Sequence, residues 1–240
     1  MTERKWAAYA KTRNLSRNRL LMARHSELVD HFVGIFGQVD TSKRVLDIGP
    51  GNGFFMVLLR ELGFSQVEGL EVSPVFLDVL RSKALTAQPG DIAAGTGLEK
   101  LSPPYDVVLL MEILEHLEDP LRALKHARGL LADDGFVYVT VPICDCIFDR
   151  VGRMVRGTSR AEQVKRIDET HLHAFSPPQI KSLLVQSGFT VKATYRISMR
   201  PPLFTRYSPG QRSYLLLRAL LPDAFRGYFL CVVADGRDRS

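Results

Sequence analysis

The chain has 240 residues and a formal net charge of +6, with 45% hydrophobic and 24% charged residues. These values are typical of a globular protein with one large domain. The sequence contains no run of about 18 apolar residues, so we expect no transmembrane helix. The first residues are charged and lack a following apolar segment, and the three cysteines are too few for a disulfide framework. We therefore expect a cytoplasmic protein without a secretory signal.

Residues 1–40 are predicted to form an N-terminal helical segment. Apolar residues recur at steps of three and four between Leu20 and Phe36, which is typical of a helix that packs one face on a core. Basic residues are concentrated here and near the C-terminus. A solvated face is one interpretation of this charge, and an anionic substrate, a nucleic acid or an acidic membrane surface is the other.

The stretch Arg44–Phe55 is predicted to be a buried strand, a glycine-rich turn and the start of a helix. Val45–Ile48 is mostly apolar, as a strand covered on both faces requires. The glycines that follow permit positive φ angles and allow a ligand to approach the backbone. A helix that begins in such a loop directs free N–H groups towards a ligand above the strand. This stretch therefore predicts a cofactor site, although a tight turn without a ligand is the alternative.

The glycine spacing indicates which cofactor binds. A dinucleotide-binding loop has the pattern Gly-x-Gly-x-x-Gly, but Phe54 stands here where its third glycine should be. The strand followed by Asp-x-Gly-x-Gly-x-Gly resembles motif I of the class I S-adenosylmethionine-dependent methyltransferases. The resemblance implies that S-adenosylmethionine is bound by this loop, through Asp47, Gly49, Gly51, Asn52 and Gly53.

The next two segments add candidate cofactor contacts. Glu71 ends the second predicted strand about twenty residues past the loop, where an acidic side chain can accept both ribose hydroxyls. Val72 follows Glu71 and is included in the same site. The tripeptide Gly90-Asp91-Ile92 resembles the Gly-Asp element of the family. This resemblance implies that Asp91 meets the adenine amino group and that the amide of Ile92 meets the ring.

Two further motifs flank the fourth predicted strand, Tyr105–Met111. The tetrapeptide Ser102–Tyr105 is similar to a motif of methyltransferases that modify amino groups of DNA bases. It precedes the strand, whereas the catalytic version must follow it, so we interpret this tetrapeptide as a turn. The run Leu-Glu-His-Leu-x-Asp-Pro after the strand resembles a signature of small-molecule methyltransferases, including those of ubiquinone biosynthesis. It implies that Met111 and Glu112 face the cofactor, and we interpret His116 as structural.

The segment Asp168–Pro177 resembles the same group through its His-x-x-x-Phe-Ser-Pro pattern. His171 holds the matching position, and His173 lies close to it. Histidine titrates near neutral pH, so we predict that His171, or secondarily His173, is the general base or the acceptor anchor. The alternative is that His171 only joins the preceding insertion to the next helix.

Strands and helices alternate without internal repeats, which predicts an α/β fold with a doubly wound, mostly parallel sheet. The resemblance implies a Rossmann-like sheet of seven strands with the last strand antiparallel. We predict a single domain over residues 1–240, with a cofactor-binding core at 43–142. Residues 143–170 and 199–227 are predicted cap segments of the acceptor site.

The sequence thus favours methyl transfer from S-adenosylmethionine to an oxygen of a small molecule. Arg200 and Arg206 suggest an anionic acceptor, with the solvated face as the alternative. No metal is predicted, because Cys144-Asp145-Cys146 lacks a second pair of ligands. RNA or protein methylation, NAD-linked oxidation and a non-catalytic cofactor-binding module are the other hypotheses. A nucleic-acid partner is not expected, because no added nucleic-acid module is recognisable, and the oligomeric state is left open.

Overall fold

The computed structural model describes residues 26–143, 151, 154–159, 162, 169–197 and 229–236. In chain order the helices and strands are α1 Ser26–Phe36, β1 Val45–Ile48, α2 Phe54–Leu62, β2 Val67–Glu71, α3 Pro74–Ser82, β3 Ala87–Pro89, β4 Tyr105–Met111, α4 Pro120–Leu130, β5 Leu131–Pro142, α5 Pro177–Gln186, β6 Thr190–Ile197 and β7 Phe229–Asp235. Short 3₁₀ turns lie at Leu98–Lys100 and Leu114–His116.

The seven strands form one sheet in the order β3-β2-β1-β4-β5-β7-β6. Strands β1 to β5 are parallel, and β7 pairs antiparallel with both β5 and β6. The predicted seven-stranded, mostly parallel sheet with an antiparallel last strand is confirmed. Because the strand order reverses between β1 and β4, a crevice is expected beyond the carboxyl ends of these two strands.

Both faces of the sheet are covered by apolar side chains, as a mostly parallel sheet requires. On one face α1 packs through Phe32 and Phe36, whose stacked rings lie 4.2 Å apart and are fully buried. On the other face α4 and α5 contribute Leu124 and Ile180, which are also fully buried. The predicted apolar face of the N-terminal segment is confirmed for α1, whereas Leu20 and Leu21 lie outside the described residues.

The structure corrects the start of the fifth strand. The sequence predicts a turn at Asp134-Gly135 before a strand over 136–142, but β5 already begins at Leu131. Leu131 pairs with Tyr105 across an irregularity in the register, so the turn is absorbed into the strand as a bulge. Only glycine fits at position 135 without a shift of its neighbours, because a Cβ there would lie 2.8 Å from the carbonyl oxygen of Asp106.

The tetrapeptide Ser102–Tyr105 ends at the first residue of β4, at the end of the sheet away from the crevice. The guanidinium of Arg44 donates a hydrogen bond of 3.1 Å to the carbonyl of Pro104 and another to that of Ser102. The hydroxyl of Tyr105 donates to Glu68. This position agrees with the rejection of a catalytic role for the motif, and residues 102–104 have no regular secondary structure.

Several predictions fall outside the described residues. These include most of the cap segment 143–170, all of the cap segment 199–227, Arg200, Arg206, Cys144 and Cys146. Within the described part of the chain, the helices are all too short or too polar to span a lipid bilayer.

Candidate active site

The loop between β1 and α2 has the backbone conformation that its glycines predict. Gly49, Gly51 and Gly53 have φ angles of +66°, +53° and +74°. A Cβ on Gly49 would lie 2.3 Å from Cδ1 of Ile113, and one on Gly53 would lie 2.4 Å from Cδ1 of Leu85. A Cβ on Gly51 would meet no atom within 4 Å. Gly49 and Gly53 therefore pack closely against the side chains of Ile113 and Leu85, while Gly51 faces open space that a ligand can enter.

Asn52 and Lys83 support the same loop. The side-chain oxygen of Asn52 accepts a 3.2 Å hydrogen bond from the N–H of Phe54, at the start of α2. The ammonium of Lys83 donates a 2.5 Å hydrogen bond to the carbonyl of Asn52. The side chain of Asn52 thus satisfies a backbone group of the helix start, which is a structural role.

Glu71 lies at the carboxyl end of β2, directly beside the glycine loop. Its Oε2 accepts a 2.9 Å hydrogen bond from the N–H of Gly51, and its Oε1 accepts a 2.8 Å bond from the N–H of Ser73. The residue is only 4% exposed, so Glu71 is a buried carboxylate and not a surface one. The following residue, Val72, is 67% exposed at the rim. The carboxylate therefore has a fixed orientation at the position predicted to bind the ribose.

Asp47 is the second buried carboxyl of this crevice and is 3% exposed. Burial, reinforced by the negative charge of Glu71, raises the pKa of Asp47 to about 8. A cationic group placed beside Asp47 would stabilise its charged form and lower this pKa. S-adenosylmethionine carries an ammonium group, so this carboxyl suits the predicted cofactor.

The loop after β3 contains the predicted adenine-binding residues. Oδ1 of Asp91 accepts hydrogen bonds from the N–H groups of Ala93 at 2.7 Å and Ala94 at 3.2 Å. Ile92 is 4% exposed and belongs to the core cluster that α4 contributes to. Because β3 and β1 flank β2, this loop and the glycine loop lie at the same edge of the sheet on either side of Glu71. The predicted cofactor residues of β1, β2 and β3 therefore lie together at the carboxyl end of these neighbouring strands.

Met111 and Glu112 follow at the carboxyl end of β4. Met111 is 8% exposed, and Glu112 has a φ angle of +57°, which is uncommon for a residue other than glycine. The N–H of Glu112 donates to the carbonyl of Thr140 at 3.0 Å, and the hydroxyl of Thr140 donates to Oε1 of Glu112 at 3.4 Å. Such backbone strain is frequent at functional sites. The contact with Thr140 turns the Glu112 side chain towards β5.

Three polar side chains, His31, Tyr138 and Cys231, lie together on the α1 face of the sheet. Burial raises the pKa of Tyr138 well above 10 and that of Cys231 to about 12, and the charge of Glu112 adds to both shifts. The Tyr138 hydroxyl forms a 2.9 Å hydrogen bond with Nδ1 of His31, whose pKa is lowered by burial. All three side chains are therefore predominantly neutral at pH 7.

A second cluster lies next to this site and contains the predicted base. His171 is 6% exposed, and its ring centroid lies 4.7 Å from that of His116. A side-chain donor atom from each of His171, His116 and the fully buried Glu115 lies within 4.8 Å of the other two. A carboxylate and two imidazoles are ligands that divalent metals accept. The absence of a metal requirement stays a prediction, and this cluster is where it can be tested.

The predicted alternative base, His173, has a different environment. The ring Nε2 of His173 donates a 2.8 Å hydrogen bond to the carbonyl of Leu117. The backbone N–H of His173 donates to the carbonyl of Glu115 at 3.1 Å. His116 contacts the hydroxyl of Thr170 through Nδ1 at 3.0 Å, in agreement with its structural interpretation. The loop 170–175 is thus fixed to the segment after β4, and these bonds give His173 a structural role. The catalytic roles of both His171 and His173 stay predictions.

Sequence reasoning missed Thr140 and the association of Glu115 with His171. Glu115 was part of the Leu-Glu-His-Leu motif, but its burial beside a histidine some fifty residues later in the sequence depends on the fold. Thr140 carried no signal, because a threonine in a β-strand is ordinary.

Comparisons with known proteins agree with this geometry. A family model described as a methyltransferase domain matches residues 17–194. The ubiquinone biosynthesis O-methyltransferase of Paraburkholderia phymatum is 34% identical over 102 residues, which cover 41% of this chain and 44% of that protein. The enzyme of the same name from Vibrio campbellii is 29% identical over 65% of this chain and 66% of its own length. The chain thus matches less than two thirds of the length of these relatives.

Among solved structures, a methyltransferase described as S-adenosylmethionine-dependent, from Archaeoglobus fulgidus, superposes with a TM-score of 0.61. The superposition covers 87% of this chain and 91% of that one at 19% sequence identity. At this identity the likeness establishes the fold.

Proposed function

The chain belongs to the class I S-adenosylmethionine-dependent methyltransferases, and on this premise we propose that it transfers a methyl group to a hydroxyl oxygen of a small molecule. The observation that carries the proposal is the hydrogen bond between Glu71 and the N–H of Gly51. It places the predicted ribose-binding carboxylate against a glycine loop that is open at Gly51. The O-methyltransferase names of the two curated relatives support the choice of oxygen.

Different residues of the crevice would bind different parts of the cofactor. Glu71 would hold the ribose hydroxyls, Asp47 the ammonium group, and Asp91 with the N–H of Ile92 the adenine. Met111 and Glu112 would contact the cofactor from the carboxyl end of β4. S-adenosylmethionine supplies an electrophilic methyl group, so the protein mainly has to align the acceptor and exclude water.

A hydroxyl acceptor must lose its proton during the transfer. We propose His171 as the group that takes this proton at a ring nitrogen, because imidazole titrates near neutral pH. His171 lies in the loop 170–175, which is hydrogen-bonded to Glu115 and Leu117. These two residues follow shortly after the end of β4. Positioning by the fold is consistent with a base that must meet the acceptor in one orientation.

The anionic character of the acceptor is a further part of the proposal and rests on Arg200 and Arg206 in the sequence. The carboxylates of Glu112 and Glu115 follow β4 and would repel an anion bound near them, so the arginines would have to outweigh them. Methylation of RNA or protein would use the basic ends of the chain instead. A cytoplasmic location is likewise proposed from the sequence.

The proposal is tested first by calorimetric titration with S-adenosylhomocysteine and, separately, with NAD. We expect micromolar binding of the first and no binding of the second. Purified protein is then incubated with methyl-labelled S-adenosylmethionine and separate pools of hydroxylated small molecules, transfer RNA and protein. Label in the small-molecule pool supports the proposal, and label in RNA or protein would replace it. Binding of the cofactor without labelling of any pool would favour a non-catalytic module.

A further inference from the structure

The loop from Asp91 to Gly97 is closed by its own backbone. The N–H of Asp91 donates to the carbonyl of Thr96 at 2.9 Å, and the N–H groups of Thr96 and Gly95 donate back to the carbonyl of Asp91 at 3.1 and 2.8 Å. These bonds fix the shape of the loop. They do not hold the loop in place relative to the crevice.

Helix α4 provides that attachment through two polar side chains. Nδ1 of His126 donates a 2.6 Å hydrogen bond to the carbonyl of Ile92, and the guanidinium of Arg122 donates a 3.1 Å bond to the carbonyl of Ala94. Since a carbonyl oxygen can only accept, His126 carries its hydrogen on Nδ1 in this contact. Ile92 adds an apolar contact, because its side chain belongs to the same core cluster as Ala123 and Ala127.

The loop also packs closely against the ring of His126. Gly95 has a φ angle of +76°, and a Cβ there would lie 2.8 Å from Cε1 and 3.1 Å from Nε2 of His126. The imidazole thus fits against a backbone position that only glycine can occupy without displacing the ring. Hydrogen bond and packing together allow the loop one position on α4.

We propose that His126 is a positioning residue for the adenine end of the cofactor, acting through its hydrogen bond to the carbonyl of Ile92. This carbonyl belongs to the residue whose N–H is assigned to the adenine ring and which follows Asp91. A shift of the loop on α4 would move both adenine contacts together. The inference rests on the proposed function, because it takes the assignment of Asp91 and Ile92 to adenine from there.

Three variants separate the hydrogen bond from the bulk of the ring. His126→Ala removes both, His126→Asn places an N–H donor at the position of Nδ1, and His126→Gln places one nearer that of Nε2. Lys125→Ala changes an exposed neighbour on the same helix and serves as the control. Dissociation constants are measured by calorimetry for S-adenosylhomocysteine and for S-inosylhomocysteine, which lacks the adenine amino group.

We expect His126→Ala and His126→Gln to weaken S-adenosylhomocysteine binding about tenfold, which corresponds to one hydrogen bond. His126→Asn should stay within about threefold of the wild type, as should Lys125→Ala. The loss should be smaller for S-inosylhomocysteine, because that ligand makes no amino contact with Asp91. In turnover assays the KM for S-adenosylmethionine should rise while kcat at saturation stays within about twofold of the wild type.

Equal affinities in the wild type and His126→Ala would overturn the proposal, as would equal losses for the two ligands. If His126→Ala fails to fold, the comparison of the Asn and Gln variants decides, and equal affinities of these two would overturn it. A wild-type protein that binds no S-adenosylhomocysteine would overturn the cofactor assignment itself, and with it the role of His126.

Discussion

Glu71 accepts the N–H of Gly51 with Oε2 and the N–H of Ser73 with Oε1, at 2.9 and 2.8 Å. One carboxylate thereby joins the glycine loop after β1 to the start of α3. Each carboxylate oxygen still has a second lone pair, so both can accept a ribose hydroxyl in addition. The ribose contact and the shape of the glycine loop consequently depend on the same side chain.

Glu71→Gln is expected to weaken S-adenosylhomocysteine binding by about tenfold to a hundredfold. The amide retains one acceptor but replaces the other with a donor that faces a backbone N–H, and hydrogen bonds to charged groups are worth roughly 1.5–3 kcal/mol. Calorimetric titration measures the effect, and Glu61→Gln, at an exposed position on α2, is the matched control. Unchanged affinity in Glu71→Gln would contradict the ribose assignment.

Alanine at two positions of the glycine loop is expected to affect stability and cofactor affinity to different extents. Gly49→Ala should lower the melting temperature more than Gly51→Ala, because the Ile113 side chain, whose Cδ1 would lie 2.3 Å from the new Cβ, must move in addition to the strain of a positive φ. Gly51→Ala has only the strain, of roughly 1–2 kcal/mol, because no atom lies within 4 Å of its Cβ. Thermal unfolding without ligand and calorimetry with S-adenosylhomocysteine measure the two effects.

Gly51→Ala should therefore reduce cofactor affinity more than Gly49→Ala does, when each loss of affinity is compared with the loss of melting temperature in the same variant. A Gly51→Ala protein with normal affinity would show that the open space at Gly51 is not where the cofactor binds. The double variant Gly49→Ala with Ile113→Ala should recover part of the stability, since it removes the clashing atom.

Asp47 predicts a pH dependence of cofactor binding. Its pKa is raised to about 8 by burial and by the charge of Glu71, and the cofactor ammonium group interacts best with the ionised form. Affinity should therefore rise with pH by up to about tenfold per unit below pH 8 and level off above it. Titrations with S-adenosylhomocysteine between pH 6 and 9 measure this, and Asp47→Asn should bind weakly with a flat profile. A flat profile in the wild type would remove Asp47 from the ammonium site.

The same pKa predicts how stability depends on pH without the cofactor. The folded protein retains a proton on Asp47 up to about pH 8, whereas the unfolded chain loses it near its ordinary pKa of 3.8. The contribution of Asp47 to stability is therefore complete below about pH 4 and decreases as the pH rises towards 8. Asp47→Asn should remove this part of the pH dependence, which denaturant unfolding at several pH values can measure.

His171→Ala should lower kcat by about a hundredfold to ten-thousandfold, which is the usual contribution of a general base. Binding of S-adenosylhomocysteine should stay unchanged, since the proposed contact of His171 is with the acceptor and not with the cofactor. His173→Ala, which loses the bond to Leu117, should lower stability more than it lowers kcat. Full turnover by His171→Ala, with an acceptor identified from the labelled pools, would end the catalytic assignment.

Removal of divalent cations tests the predicted absence of a metal requirement. Dialysis against EDTA should leave kcat unchanged, because the sulfonium already activates the methyl group and methyl transfer needs no Lewis acid. A loss of activity that Mn²⁺ restores would contradict this prediction. The variant Glu115→Gln would then show whether the cation binds to the cluster of Glu115, His116 and His171, because it should raise the Mn²⁺ concentration needed.

The sequence predicted the elements that depend on local signals. The strand, glycine turn and helix around Gly49–Gly53 follow from apolar pattern and glycine spacing. Ser73-Pro74 is a typical start of a helix, an N-cap serine followed by a proline, and α3 begins there. The bond between Glu71 and Gly51 was not predictable in the same way, because it exists only when β1 and β2 lie side by side. The contact of His126 with Ile92 likewise joins two elements that carry no local sign of each other.

The errors have similar causes. The apparent turn at Asp134-Gly135 became part of β5, because the pairing of Leu131 with Tyr105 outweighs the local turn preference. The positive φ of Glu112 had no signal at all, because no glycine, asparagine or aspartate marks the position. The Glu112 N–H donates to the carbonyl of Thr140, a contact that exists only once β4 and β5 lie side by side.

The place of β7 in the sheet has a consequence for biosynthesis. Strand β7 hydrogen-bonds to β5 on one side and β6 on the other, although both are translated before it. Until β7 has left the ribosome, the backbone edge of β5 that faces away from β4, along Val137, Val139 and Val141, lacks the strand with which it finally pairs. Such an edge can pair with another nascent chain. Chaperone demand during translation should therefore fall only when β7 has emerged.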